Sequence, residues 1–246
     1  MKVVSANILG DFLSPKARSW DIRREQCLKT LSSQNPDIIC TQELSLAQYK
    51  DFKQALGNYT GYDEKLGNYH PLNCIWVKNS AFTIIQQSNL NLPNGEKKHK
   101  RIKRYLNVIK LKHIKSKQEL VIANTHLNYD CSKLALEQTI MINKFLNDNF
   151  PNTWIILCGD FNHERNSTII QEFFNNNFQD TYEAFHNHSY NGPTFHSFDS
   201  NFIRQAKIDW ILTNKNKIED AKIISSPKAE EYGSDHFFIS ATFSLL

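Results

Sequence analysis

The chain has 246 residues, 40% of them hydrophobic, with 16 phenylalanines and a formal net charge of +4. That composition can fill a sizeable core and excludes a disordered chain, and no apolar run approaches the roughly 20 residues of a bilayer span. The length suits one large α/β or sandwich unit, so residues 1–246 are expected to form a single domain.

The opening residues Met1–Asn7 carry a charge but no long apolar stretch or small-residue cleavage pattern. No secretory signal is expected, and the chain reads as cytoplasmic. Lys2–Asn7 and Asp37–Gln42 are apolar strand candidates separated by a helix over about Asp21–Ser33. Ile22, Leu28 and Leu31 give that helix its apolar stripe, with Ser19 or Asp21 as cap. Glu43 follows the second strand. With Asn7 at the end of the first, it offers oxygen ligands to a hard cation such as Mg²⁺, which takes only one or two protein carboxylates. A surface glutamate at the start of the next helix is the alternative. Ser45 is expected to cap that helix, Leu46–Leu56.

The middle of the chain is strand-rich: Asn73–Lys78, Phe82–Gln87, Arg104–Ile114 and Glu119–His126. The last two form a hairpin around Lys115-Ser116-Lys117. Lys97, Lys98, Lys100, Arg101, Lys103 and Arg104 fall close together, either a phosphate-attracting cluster or a solvated loop. His126 ends its strand where it would donate to a phosphate. Ser132 is expected to cap a helix to about Asn147, with Leu136, Ile140 and Phe145 inward, and the Asn-rich stretches near 143–152 and 175–177 read as loops.

Thr153–Cys158 is a near-continuous apolar strand, after which Gly159 is expected to turn the chain sharply. Asp160 and Asn162 would then point at one ligand, with Phe161 turned to the core. Asp160 accepts a proton or orients water, and Asn162 donates to a phosphoryl oxygen; an Asx-turn is the structural alternative. A helix near Thr168–Asn177 precedes strands at Lys207–Thr213, Ile218–Ser225 and Phe237–Phe243. Asp235-His236 closes the loop before the last strand, and Asp209 is placed to orient His236 through its second ring nitrogen. Five cysteines without C-x-x-C spacing argue against disulfides or a zinc knuckle, and Cys40 and Cys158 read as small buried hydrophobes. Strands dominate without a strict βαβ rhythm, which favours two packed mixed sheets flanked by helices.

Taken in order, Asn7, Gln42-Glu43, Asn124-Thr125-His126-Leu127, Gly159-Asp160-Phe161-Asn162, Ile208-Asp209-Trp210-Ile211-Leu212 and Ser234-Asp235-His236 resemble the endonuclease/exonuclease/phosphatase superfamily. The match runs from Lys2 to Phe243. The resemblance implies an α/β (α+β) four-layered α/β/β/α sandwich, two mixed β-sheets packed face to face. It also implies a Mg²⁺ or Mn²⁺ requirement and hydrolysis of a phosphoester by in-line attack of water. The enzyme would be a phosphodiesterase or phosphatase, with a nuclease acting on DNA or RNA as the alternative.

By the same resemblance Glu43 is the main metal ligand and Asn7 its helper, and Asp235 supports the metal or His236. Asp160 positions or deprotonates the attacking water beside Asn162. His236 contacts the phosphate, oriented by Asp209, and His126 is a second phosphate contact. Gly192–Phe198 resembles the T-F-H-x-F segment of small bacterial hydrolases and deadenylase-like members. Arg104 resembles an arginine those relatives place before the strand preceding N-T-H-L. His196 and Arg104 are therefore both expected to face the substrate phosphate, against the alternatives of a satisfied loop histidine and a solvated arginine.

The sequence departs from the pattern at Leu9, where the abasic-endonuclease branch has an Asp, and at Lys133–Leu136, where many deadenylase-like relatives carry an Arg. The expected partner is a phosphorylated small molecule or nucleic acid, met by a monomer. A catalytically inactive binding module is the remote alternative, disfavoured by the intact carboxylates and final histidine. The absence of a G-x-G-x-x-G run sets aside a dinucleotide-binding protein.

Overall fold

Two six-stranded sheets face each other in this computed structural model, which describes residues 1–62, 72–94, 103–187, 192–199, 207–226, 228 and 231–245. The first sheet comprises β1 (Lys2–Asn7), β2 (Ile38–Leu44), β3 (Tyr59–Tyr62), β4 (Leu72–Lys78), β11 (Ile218–Ile224) and β12 (Phe238–Phe243), in the order β11-β12-β1-β2-β4-β3. The second comprises β5 (Phe82–Asn91), β6 (Tyr105–His113), β7 (Glu119–His126), β8 (Ile155–Asp160), β9 (Gln179–Asp180) and β10 (Asp209–Thr213), in the order β5-β6-β7-β8-β10-β9. Both are mixed: β1–β2 and β7–β8 run parallel, and their other pairs run antiparallel.

Helices α1 (Trp20–Ser33) and α2 (Leu46–Ala55) cover the outer face of the first sheet through Leu31, Phe52 and Trp76. Helices α3 (Ser132–Asn149) and α4 (Thr168–Asn175) cover the second through Ile142, Leu146 and Phe173. The layering is therefore α/β/β/α. It explains the uninterrupted apolar run of β8: Ile155 and Leu157 enter the helix-side core while Ile156 and Cys158 enter the core between the sheets. Each such side chain, fully buried, contributes about 1.5–3 kcal/mol. Among the described residues no helix is long and apolar enough to cross a membrane.

Several expectations need correction. Ile22 and Ile140 were placed inward but are 64% and 47% exposed. The inward face of α1 is Trp20, Arg23, Cys27 and Leu31, so a polar residue occupies a stripe position that hydrophobicity alone passes over. In α3 the inward row is Leu134, Ala135, Gln138, Ile142 and Leu146. That helix runs through Asn143 and Asn149 rather than breaking into a loop, and Cys131, not Ser132, occupies its N-cap position. Ser19 caps α1 by position only, the Trp20 N–H being taken by the Asp11 carboxylate at 2.9 Å. Ser45 does cap α2, in a reciprocal capping box with Gln48. Strands β3 and β9 and the short helix α5 (Thr181–Phe185) were not anticipated. Residues 97–101 of the basic cluster lie outside the described residues.

Candidate active site

The strand ends bring the site together. His126, Asp160 and Asp209 are direct neighbours across β7, β8 and β10, and Asn7 lies opposite Gln42 on β1 and β2. Two buried amides tie the sheets at this end: Asn7 donates to the Asp160 carboxylate at 3.0 Å, and Gln42 donates to the Asn124 side-chain oxygen at 2.8 Å. Gly159 does not turn the chain as expected. It remains in β8 with φ +154°, and a Cβ there would sit 2.0 Å from the Thr125 carbonyl oxygen. The glycine is needed for close approach of β7, which aligns His126 with Asp160. Phe161 turns into the core against Phe173, as expected.

Glu43 sits at φ 63° where a register shift interrupts the β2–β4 ladder. That irregularity re-aims its carboxylate toward the second sheet. Burial, then Asp235, pushes the Glu43 carboxyl above its ordinary value, against the pull of His236, Arg104 and Asn7. Asp160 is pushed up to about 7 by burial and then by Asp209, with His236 opposing. Its Oδ1 accepts from the Asn162 backbone N–H at 2.9 Å. His236 Nδ1 lies 2.9 Å from Asp209 and its Nε2 3.8 Å from Asp160. Burial opposes charge on His236, but Asp209, Asp160 and Asp235 together hold the imidazole well above its usual range, as a cation.

His126 behaves oppositely. Burial, then Arg104 and His236, hold it well below the usual range, so it is neutral. The tautomer follows from its neighbours. Asn162 lies 3.2 Å from the Leu127 carbonyl, which only accepts, so the amide nitrogen must face it and also the His126 Nε2 at 2.9 Å. The ring proton is therefore on Nδ1, which is buried and has no hydrogen-bond partner.

Glu43, His126, Asp160, Asp235 and His236 line one cavity of about 260 Å³, together with Arg104 and Asn162. Arg104 is buried, faces Glu43 and Asp160, and precedes β6. Two residues stand differently from expectation. Asn7 reaches the site through the Asp160 carboxylate while its oxygen accepts from the Leu9 N–H at 3.0 Å, and it does not line the cavity. His196 is fully buried behind the cavity, its ring tilted against Phe237 with centroids 4.2 Å apart, and its Nδ1 accepts from the Phe198 N–H. Burial, then His236, lowers its pKa to about 4.

The segment around His196 serves the site by other means. Thr194 accepts from the Ile208 and Asp209 N–H groups, and the His196 N–H bonds the Asp235 carbonyl. Phe195 lines the cavity with its ring 5.0 Å from His236.

Sequence reasoning also missed Arg23. Its guanidinium, 3% exposed, donates to the carbonyls of Ile8, Leu9, Arg18 and Gly233 and to the Ser14 hydroxyl. It thereby joins the turn after β1 to the loop carrying Asp235 and His236. Gly233 is packed so closely on α1 that a Cβ would meet Cys27 backbone at 2.4 Å. An arginine on the apolar stripe of a helix was the available signal.

Ligand atoms of Glu43, His126 and Asp160 lie within 4.8 Å of one another. Because His126 Nδ1 carries the proton and its Nε2 accepts from Asn162, the available donors are carboxylate oxygens, and no cysteine lines the cavity. Repelling, desolvated carboxylates of this kind fit a hard divalent cation.

A sandwich of two mixed sheets with carboxylates and imidazoles at one edge defines the class of metal-dependent phosphoesterases. The chain belongs to the Endonuclease/Exonuclease/phosphatase family, which matches residues 4–236. The Ccr4 subunit of Candida albicans, a CCR4-Not complex 3'-5'-exoribonuclease, is 24% identical over 197 residues, covering 64% of this chain and 25% of that protein. The chain thus spans about a quarter of the length of that relative. A mannosyl-6-phosphatase of Bacteroides thetaiotaomicron superposes with a TM-score of 0.86 at 21% identity, covering 100% of both chains. The human Nocturnin catalytic domain with bound sulfate superposes at 0.81 with 21% identity, covering 99% of this chain and 94% of that one.

Proposed function

We propose that the protein hydrolyses a phosphoester by in-line attack of water, as a phosphodiesterase or phosphatase, with Mg²⁺ or Mn²⁺ held by Glu43 and Asp235. The observation that carries this reading is the buried Nδ1–H of neutral His126, which makes no hydrogen bond and lies 3.8 Å from Glu43 Oε1, set beside Arg104 in a cavity that His236 also lines. Three donor residues bordering an acid-rich cavity suit a phosphate whose negative charge is shared with a cation.

Asp160, with its pKa near the operating pH, orients a water and accepts its proton. Asn7 and the Asn162 backbone N–H hold its two oxygens apart, so each has a fixed direction. His236, kept cationic by Asp209, faces the charge that grows on the phosphoryl oxygens, and Arg104 and His126 complete the cradle. A divalent ion held by Glu43 and Asp235 would supply Lewis-acid charge neutralisation at the phosphate. In this reading Asn7 and His196 are positioning residues, and Asn162 directs His126.

The test is hydrolysis of a chromogenic phosphodiester with Mg²⁺ or Mn²⁺, against an EDTA control. Asp160→Ala and His236→Ala should each lower kcat by about 10³-fold or more with the fold intact. Activity that survives EDTA, or that persists in both variants, refutes the assignment. A nuclease is the second reading, favoured by the exoribonuclease name of the Ccr4 relative.

A further inference from the structure

The polar half of the cavity is fully committed in the hydrolase reading. Each of its charged side chains, from Glu43 to His236, is assigned to the cation, the water or the phosphate, and the Asn162 amide is spent on His126 and the Leu127 carbonyl. The other lining residues are Leu9, Leu13, Tyr129 and Phe195. Apart from the Tyr129 hydroxyl, which is engaged with the Asp130 side chain, no further polar side chain among the described residues lines the cavity to meet sugar hydroxyls.

The apolar half is also unusually open. Leu13 is 46% and Tyr129 61% exposed, large apolar surfaces left uncovered at the mouth, and the neighbouring Phe12 is 52% exposed. Their placement is built in. Leu9 is held at φ 57°, its N–H bonded to Asn7 and its carbonyl to Arg23, and Arg23 also bonds Ser14 just beyond Leu13. The turn that bears Leu9 and Leu13 is therefore fixed by a buried guanidinium. Phe195 is fixed by its bridge to His236.

We propose that Leu13 and Tyr129, with Leu9 and Phe195 beneath them, form a specificity rim that seats the base of a nucleoside phosphoester, so that the enzyme selects nucleoside esters over polyol esters. The proposal rests on the hydrolase reading above. A nucleobase offers a flat face that stacks on an aromatic ring and needs no hydrogen bond from these four side chains. A polyol would set its hydroxyls against apolar walls and lose water contacts without replacement. A single sugar separates base from phosphate in a nucleoside ester, and the rim and the catalytic groups line one cavity of about 260 Å³.

The experiment compares matched esters under Mg²⁺: a nucleoside monophosphate against mannose 6-phosphate, and a dinucleoside monophosphate against glycerophosphoinositol. Wild type should prefer the nucleoside member of each pair by tenfold or more in kcat/KM. Tyr129→Ala and Leu13→Ala should each collapse that ratio about tenfold, mainly through KM, while Tyr129→Phe, which keeps the ring face, should retain it. Equal or reversed preference in wild type, or an unchanged ratio in both alanine variants, overturns the rim.

Calorimetric titration separates this failure from failure of the hydrolase reading. If no ester turns over but a nucleoside monophosphate binds more tightly than mannose 6-phosphate, and Tyr129→Ala removes the difference, the rim stands and the hydrolase reading falls. If neither turnover nor preferential binding appears, both fall.

Discussion

Asp209→Asn isolates a single charge, because the amide keeps the shape of the carboxylate and leaves the backbone bonds from Ile208 and Asp209 to Thr194 in place. Asp209 and His236 are 2% and 5% exposed and 2.9 Å apart, so solvent screens their interaction weakly. Replacing a charge-assisted hydrogen bond by a neutral one, and losing a Coulomb attraction of several kcal/mol at an effective dielectric near 20, removes about 3 kcal/mol from the imidazolium. At about 1.4 kcal/mol per decade, kcat should fall about a hundredfold.

The pH profile of Asp209→Asn should move as well. His236 loses the first of the groups that raise it, so the alkaline limb, where the imidazolium is lost, shifts to lower pH. Asp160 loses the carboxylate that, after burial, raises it most, so its pKa falls below about 7 and the acid limb shifts the same way. The assay is kcat between pH 5 and 9 on a chromogenic phosphodiester, with a melting curve to show that the fold holds. Turnover within threefold of wild type across that range, or an alkaline limb that stays put, refutes the role given to Asp209.

In the metal-free protein the stability contributed by Glu43 and Asp160 should be lost as pH rises from about 4 to 7, against an opposite, rising contribution from His126 and His196, which fold with their pKa values lowered. Glu43 and Asp160 keep protons in the folded state that the unfolded chain releases, so their contribution is complete below the unfolded pKa and lost through the folded one; His236 extends the decline above 6.5. The rise in Tm on adding Mg²⁺ should grow over the same window and vanish in Glu43→Gln, as read by scanning calorimetry. Gly159→Ala should cost about 3 kcal/mol or more in urea unfolding, since the new Cβ meets a backbone oxygen at 2.0 Å and no side chain can yield. Arg23→Met should cost about 3 kcal/mol or more by taking the donor from the carbonyls of Ile8, Arg18 and Gly233, Leu9 keeping Gln48, and Arg23→Lys, with three donors in place of five, should recover only part of it. Ile22→Lys and Ile140→Lys should stay within about 0.5 kcal/mol of wild type, and a much larger loss would contradict their exposure.

The candidate site residues at strand ends were legible because a strand announces itself by apolar residues and its last position must leave the core. His126, Asp160 and Asp209 could be found this way, and their adjacency follows once β7, β8 and β10 pair in register. What the sequence could not separate is a group that touches the ligand from one that holds such a group. His196 and Phe195 are adjacent in the chain and point to opposite sides of the same bridge, so the pattern singled out the histidine while the phenylalanine lines the cavity. Asn7 and Asp160 are 153 residues apart, and only the packing of the two sheets shows that the first bonds the second.

Arg23 was missed for a related reason. Hydropathy assigns a helix stripe by what avoids water, whereas this position is buried because four carbonyls in two loops need one donor fork. The loops around this site thus depend on a helix residue whose role is set by backbone groups, which carry no signature in the side-chain sequence. Leu9 shows the converse. At this position, where a related branch carries an acid, an apolar side chain marks the start of the wall that faces the substrate, and its meaning appears only when Tyr129, Leu13 and Phe195 join it at the mouth.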